Sequence, residues 1–210
     1  MFGLEGYHAV VLLEPGEKEE ALVRDVALER GQQRKGRVVG PDGQPIKGAT
    51  VQGLSSRRDV IETLKGAEFT VRGLNPKEPP RLLTFHHKGK NLGSFLKGLP
   101  AEKDGPLIVK LRPCGSLSGR IVDSDGQPVA GFRGELSVGS WGGYWGQHQF
   151  TTDKQGRFRV EGLAPGLGYS VWQKGKGSVV KIHPGAVAEP GKNKDLGNVK
   201  ALAVVGPPDP

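Results

Sequence analysis

Residues 36–48 and 119–131 are copies of each other, and a chain that repeats itself at this spacing is expected to fold as repeated units. Gly36-Arg37-Val38-Val39-Gly40-Pro41-Asp42-Gly43-Gln44-Pro45-Ile46-Lys47-Gly48 returns as Gly119-Arg120-Ile121-Val122-Asp123-Ser124-Asp125-Gly126-Gln127-Pro128-Val129-Ala130-Gly131, an offset of 83 (119 − 36). Phe69-Thr70-Val71-Arg72-Gly73-Leu74-Asn75-Pro76 matches Phe158-Arg159-Val160-Glu161-Gly162-Leu163-Ala164-Pro165 at an offset of 89 (158 − 69), so six extra residues enter the second copy between the two matches. This period exceeds the roughly 20–50 residues of a stacked solenoid repeat, so each copy should bury a core of its own.

With 34 glycines and 16 prolines in 210 residues, turn-formers make up nearly a quarter of the chain. They punctuate short alternating apolar runs, which reads as a turn-rich all-β domain rather than as disorder. Arg37-Val38-Val39 and Arg120-Ile121-Val122 each enter a turn centred on Asp-Gly, a pair that tolerates left-handed backbone. Pro45 and Pro128 stiffen the return, into residues 49–51 and 132–138. A second hairpin, 149–152 into 157–160, turns at Asp153-Lys154-Gln155-Gly156, where Leu64-Lys65-Gly66 stands in the first copy. Leu163 is expected to tuck inward, and residues 169–172 to form a strand matching 82–85. Residues 107–111 close the first copy; Val26 and Leu28 sit 83 residues before Val109 and Leu111, with 9–13 as the preceding strand. Residues 1–30 thus read either as the back half of a third, truncated copy or as strands completing the edge of the first domain. One helical turn is expected near Glu17 to Ala21.

A single cysteine, Cys114, excludes an internal disulfide, so hydrophobic cores must hold the domains; it reads as a small, partly buried residue between them. No run reaches the length of a membrane span, and no export signal follows Met1. The net charge of +8 suits anionic surfaces such as polysaccharide or lipid headgroups. Lysines and arginines are scattered, without the interleaved aromatics of a base-stacking platform, so specific nucleic-acid binding is not expected. The five histidines, His8, His86, His87, His148 and His183, show no metal-ligand spacing. Ser116, Ser118, Ser124 and Ser137 lack a nucleophile-elbow context, and Asp123 with Asp125 offers too few oxygens for calcium. No catalytic residue, cofactor or metal is expected.

The two shared elements, G-R-[VI]-V-x-x-D-G-Q-P-[IV]-x-G and the later D-x-x-G-x-F-x-V-x-G-L-x-P-G, resemble the carboxypeptidase regulatory-like domain family. The second copy fits throughout; the first departs around Leu64-Lys65-Gly66. The resemblance implies a transthyretin-like (prealbumin-type) Greek-key β-sandwich of about seven strands, in tandem. It implies an accessory module beside peptidases, outer-membrane receptors and bacterial surface proteins, extracellular or in the cell envelope, without catalytic residues of its own. The expected domains are 31–112 and 113–201, joined by a short, stiff connection, with 202–210 a flexible tail.

One segment stands out as a candidate site. Trp141, Tyr144 and Trp145 crowd five residues among glycines, with Gln147 and His148 beside them, in the interval that holds the extra residues. The rings either fold inward to cap the sandwich, contact a protein partner, or present a platform to sugars with Gln147 and His148 bonding hydroxyls. Trp172, Phe69, Phe85 and Phe158 read as core, Trp172 as core or groove-lining. The expected function is a structural or interaction module of a larger bacterial protein, binding a protein partner or the rest of its parent chain through sheet edges and end loops. The alternatives are carbohydrate binding through the aromatic loop and a regulatory domain of a peptidase.

Overall fold

The computed structural model describes residues 7–8, 25–27, 29–55, 60–75, 81–99, 105–138, 148–175 and 178–202. They form an all-β structure. In the first half, β3 (Gln32–Val39) runs between antiparallel β6 (Glu68–Leu74) and parallel β9 (Leu107–Lys110). A second sheet has the order β10 (Arg112–Pro113), β8 (Leu92–Lys97), β7 (Leu82–His87), β4 (Thr50–Gln52), β5 (Ile61–Thr63). In the second half, β11 (Gly115–Val122) runs between antiparallel β14 (Arg157–Leu163) and parallel β17 (Asn193–Lys200). Its companion sheet has the order β13 (His148–Thr151), β12 (Arg133–Val138), β15 (Gly168–Gly175), β16 (Ser178–Val187). β1 (Tyr7–His8) pairs only with β2 (Glu29–Arg30).

Alternation sets which side chains face inward. Phe69 and Val71 on β6, and Phe158 and Val160 on β14, are buried beside outward-facing charged or polar neighbours. Most of the buried apolar side chains fall into two clusters: one from Val38 to Leu111, the other from Leu117 to Val199. Each lies between a pair of sheets, in the manner of a β-sandwich. Phe69 meets Phe85 at 5.1 Å between ring centres, and Phe158 stacks on Phe150 at 4.3 Å. The repeated glycine that opens each copy now has a reason. A Cβ on Gly119 would meet the Phe158 ring at 3.0 Å, and one on Gly36 would collide with the Phe69 ring. The opening glycine and the later phenylalanine are one packing unit, present twice.

The Asp-Gly turns form as expected, with Gly43 at φ 81 and Gly126 at φ 80, and each strand returns through one bridge, Val39 to Pro45 and Val122 to Pro128. The capping carboxylate differs between them. Asp42 accepts the Gln44 N–H at 3.0 Å, whereas in the second copy Asp123 accepts from Asp125 and Gln127 at 3.0 and 2.8 Å.

Equivalent backbone hydrogen bonds locate the six extra residues. Gly48 bonds Leu64 as Gly131 bonds Thr152, and Val38 bonds Ala67 as Ile121 bonds Gly156. The offsets at these pairs are 83 (131 − 48), 88 (152 − 64) and 89 (156 − 67), so five extra residues precede Thr152 and one enters the turn. That one reshapes the turn. Asp153 accepts from Gln155 and Arg157 at 2.9 and 2.8 Å, and Gly156 takes φ 73 where the first copy places Ala67. This is where the first copy departs from the motif.

Several features differ from the sequence expectations or extend them. Strands β5, β8 and β16 and a 3-10 turn at Lys88–Lys90 were not foreseen. Val26 lies outside any strand and is 46% exposed; residues 9–13 and the helical turn near Glu17 to Ala21 lie outside the described residues, as do 203–210.

A Cβ at position 156 would sit 2.5 Å from the Ile121 carbonyl, at a left-handed φ. Gly156→Ala is therefore expected to destabilise the second half by about 1–3 kcal/mol, while Ala67→Gly costs under about 1 kcal/mol. All three tryptophans follow residue 140, so urea unfolding read by tryptophan fluorescence checks the first value, and far-ultraviolet circular dichroism the second.

Candidate functional site

Two places bring chemically active side chains together: a seam between the two cores and a groove on the second half.

The seam begins where the first half ends. Arg112 and Pro113 pair antiparallel with Gly93 and Leu92, and the Cys114 N–H bonds the Asn91 carbonyl at 2.9 Å. Arg112 donates to the Pro165 carbonyl at 3.1 Å. Leu82 and Phe95 of the first half pack against the second core cluster. The approach is close: a Cβ on Gly93 would lie 3.0 Å from the Cys114 sulfur and 3.2 Å from the Ala164 Cα, and one on Gly162 would lie 3.4 Å from Nε2 of His86. Cys114 is buried, and desolvation pushes its thiol up to about 11, so it is inert rather than reactive.

His148 belongs to this seam. It stands on β13, half-buried, its ring edge-on to Tyr169 at 6.0 Å. Burial, with His86 nearby, holds its pKa down to about 4. His86 is lowered too, first by burial and then by His87 and Lys88, and its Nε2 is buried without a hydrogen-bond partner. Tyr169 is buried; desolvation raises its hydroxyl pKa, and its oxygen accepts the Ala164 N–H at 2.9 Å. His148 is thus a neutral packing residue of the seam. Trp141, Tyr144, Trp145 and Gln147, the other residues of that candidate loop, lie outside the described residues.

The groove, about 660 Å³, crosses β14, β11 and β17 beside Thr151, Thr152 and Asp153. Arg157 and Arg120 are directly opposed in the strand register, and Arg159 opposes Ser118. Arg120 gives its Nε–H to the Gln155 carbonyl at 2.9 Å, and Arg159 forms an exposed pair with Glu161 at 2.8 Å. The side chain of Arg157 has no ion pair or hydrogen bond among the described residues. Sequence reasoning missed this pair because the two arginines are 37 positions apart (157 − 120).

The remaining candidates take structural roles. Ser116 donates to Asn193 at 2.9 Å, and Asn193 donates to Ser118 at 2.9 Å; an amide takes no proton, so neither serine has a base there. Ser137 is fully buried, its hydroxyl without a partner. His87 caps the 3-10 turn by accepting from Lys90, and the His183 ring contacts the Pro184 carbonyl. Trp172 is buried outside the core cluster, with the Lys181 ammonium 5.1 Å from its ring and its indole N–H unpaired. Among the described residues no three His, Cys, Asp or Glu side chains gather to hold a metal ion, and no helix is long and apolar enough to cross a membrane.

The depressed histidines imply an acid-sensitive fold. Below pH 6.5 the unfolded chain protonates His148 while the folded chain resists until about pH 4, so stability falls across that window as pH falls. The loss is expected to be about 2 kcal/mol, less than the full shift because the ring keeps some contact with solvent. Melting temperature recorded from pH 7.5 to 4 checks this, and His148→Phe should flatten the slope.

No protein-family profile matches the chain, and no curated protein is detectably similar to it in sequence. Solved structures similar to it include a streptococcal ancillary pilin, 17% identical over 83% of this chain and 65% of that one, with a TM-score of 0.34. The chain thus spans just under two thirds of that pilin. The shaft pilin SpaA of Lactobacillus rhamnosus GG is 13% identical over 83% of this chain and 99% of that one, with a TM-score of 0.29. BcpA, the major pilin subunit of Bacillus cereus, is 14% identical over 81% of this chain and 55% of that one, with a TM-score of 0.30. Superpositions this loose leave function to be read from the chain's own residues.

Proposed function

We propose that this chain is a non-catalytic structural and interaction module of a larger, envelope-associated bacterial protein. In this reading it consists of two transthyretin-like Greek-key sandwiches of the carboxypeptidase regulatory-like type, residues 31–112 and 113–201. The family and compartment rest on the paired sequence motifs, and the doubled glycine–phenylalanine packing unit supports treating them as true repeats.

The observation that carries the mechanical part of the reading is the seam. Strand β10 continues the first half's sheet and leads directly into β11, while Leu82 and Phe95 enter the second core's contacts. A connection held by ladder hydrogen bonds and buried apolar contact transmits orientation, and a flexible linker does not. A stiff pair of sandwiches serves as a spacer that holds its surfaces in fixed relation for a partner.

Amide residual dipolar couplings test this. The two halves of the wild-type chain are expected to fit one alignment tensor. Gly93→Val should split the fit in two, since a side chain there wedges between Cys114 and Ala164. Separate tensors for the wild-type halves would overturn the proposal.

A further inference from the structure

We propose that the groove across β14, β11 and β17 binds a carboxylated polysaccharide, with a sugar carboxylate held between Arg120 and Arg157.

The inference comes from comparing equivalent positions in the two copies. In the first, Arg37 opposes Glu68 and pairs with it at 2.8 Å. In the second, the same two positions are Arg120 and Arg157. Like charges directly opposite on neighbouring strands are unfavourable, and here the carboxylate that neutralises the first copy has been replaced by a second guanidinium. Among the described residues neither neighbouring acid forms an ion pair with Arg157. Asp153 is engaged by the Gln155 and Arg157 backbone N–H groups, and Asp195 by that of Gly197 at 3.0 Å. Two arginines rooted at directly opposed strand positions can bring two charged donor groups to one carboxylate.

The form of the groove favours a glycan over an acidic peptide. Its lining spans three strands, so a ligand lies across the sheet face, whereas an extended peptide recognised by its backbone adds along one edge. Ser118, Thr151, Asn198 and Asp195 surround the arginines with donors and acceptors for ring hydroxyls. Among the described residues of the lining the one aromatic side chain, Phe158, is buried in the core, so those residues offer no exposed ring for stacking on a neutral sugar. Charge and hydroxyl recognition remain. The groove lies within the second half, so this proposal and the coupling of the halves can fail independently.

Isothermal titration calorimetry of the full chain with alginate oligomers, dextran oligomers and poly-L-glutamate tests the assignment. Alginate should bind with an affinity that falls as salt rises, and dextran should not bind. Arg157→Glu, which recreates the ion pair of the first copy and should melt no lower than wild type, is expected to weaken alginate binding at least about tenfold. Arg157→Gln, which removes one charge without adding another, should weaken it in the same direction. Lys47→Glu makes the same charge change at an exposed position in the other half and should leave binding intact. Unchanged binding by both Arg157 variants overturns the proposal. An equal loss in Lys47→Glu overturns it in favour of bulk charge, and equally tight, Arg157-dependent binding of poly-L-glutamate overturns it in favour of an acidic peptide.

Discussion

Only residues 111–114 separate the closing strand of the first half from the opening strand of the second, and every one of them is engaged. Leu111 is fully buried in the first core, its N–H on the Val39 carbonyl at 2.8 Å. Arg112 and Pro113 are paired on β8, and Cys114 is buried with its N–H on Asn91. Because this connection has no slack, β8 and the Leu163–Gly166 turn must come together. The residues that meet there are correspondingly small or apolar: Gly93, Ala164, Gly166 and the Phe95 ring. The same closeness desolvates His86, His148 and Cys114, so the shifts in their proton affinities follow from the length of the connection.

Much of this architecture was legible in the sequence because its determinants are local. An Asp-Gly pair after a β-branched run makes a turn wherever it occurs, and Phe158-Arg159-Val160 exposes its alternation without reference to any partner strand. Strand β8 was not legible for a physical reason. Leu92, Gly93 and Ser94 are all buried, since one face meets the first core and the other meets the seam, and a strand covered on both sides loses its alternation. Strand β16 carries Pro184 and exposed valines at 180 and 187, a pattern tolerated at a sheet edge but weak as a strand signal. The parallel pairing of β3 with β9 and of β11 with β17 joins residues about 70–80 apart, and such pairings leave no mark within either strand.

Candidate sites divide the same way. Cys114 could be placed between the two repeated segments from the sequence, and it is buried there rather than partly buried. His148 could be noticed as part of an unusual segment, but its role depends on Tyr169 and His86, which reach it only through the fold. The arginine pair was invisible until the strand register set residue 157 opposite residue 120.

The repeated sequence motifs allow equivalent positions to be compared, since two stretches that adopt the same local structure must share whatever that structure requires. The opening glycine, the phenylalanine that lies over it, the turn glycines at 43 and 126 and the parallel closure appear in both, and these define the sandwich-like unit. Where the copies exchange equivalent solutions, as Asp42 and Asp123 do in capping the first turn, the difference is neutral to the fold. Two differences do not have that character. Five residues and a cluster of aromatic side chains enter the second copy before Thr152, and a satisfied ion pair gives way to two arginines at the same lattice positions. The second of these does not improve the sheet that carries it, since like charges directly opposite on neighbouring strands are unfavourable. The two halves therefore differ in surface chemistry rather than in what their sheets require: residues 37 and 68 form an ion pair on the first, whereas residues 120 and 157 stand opposed as two arginines on the second.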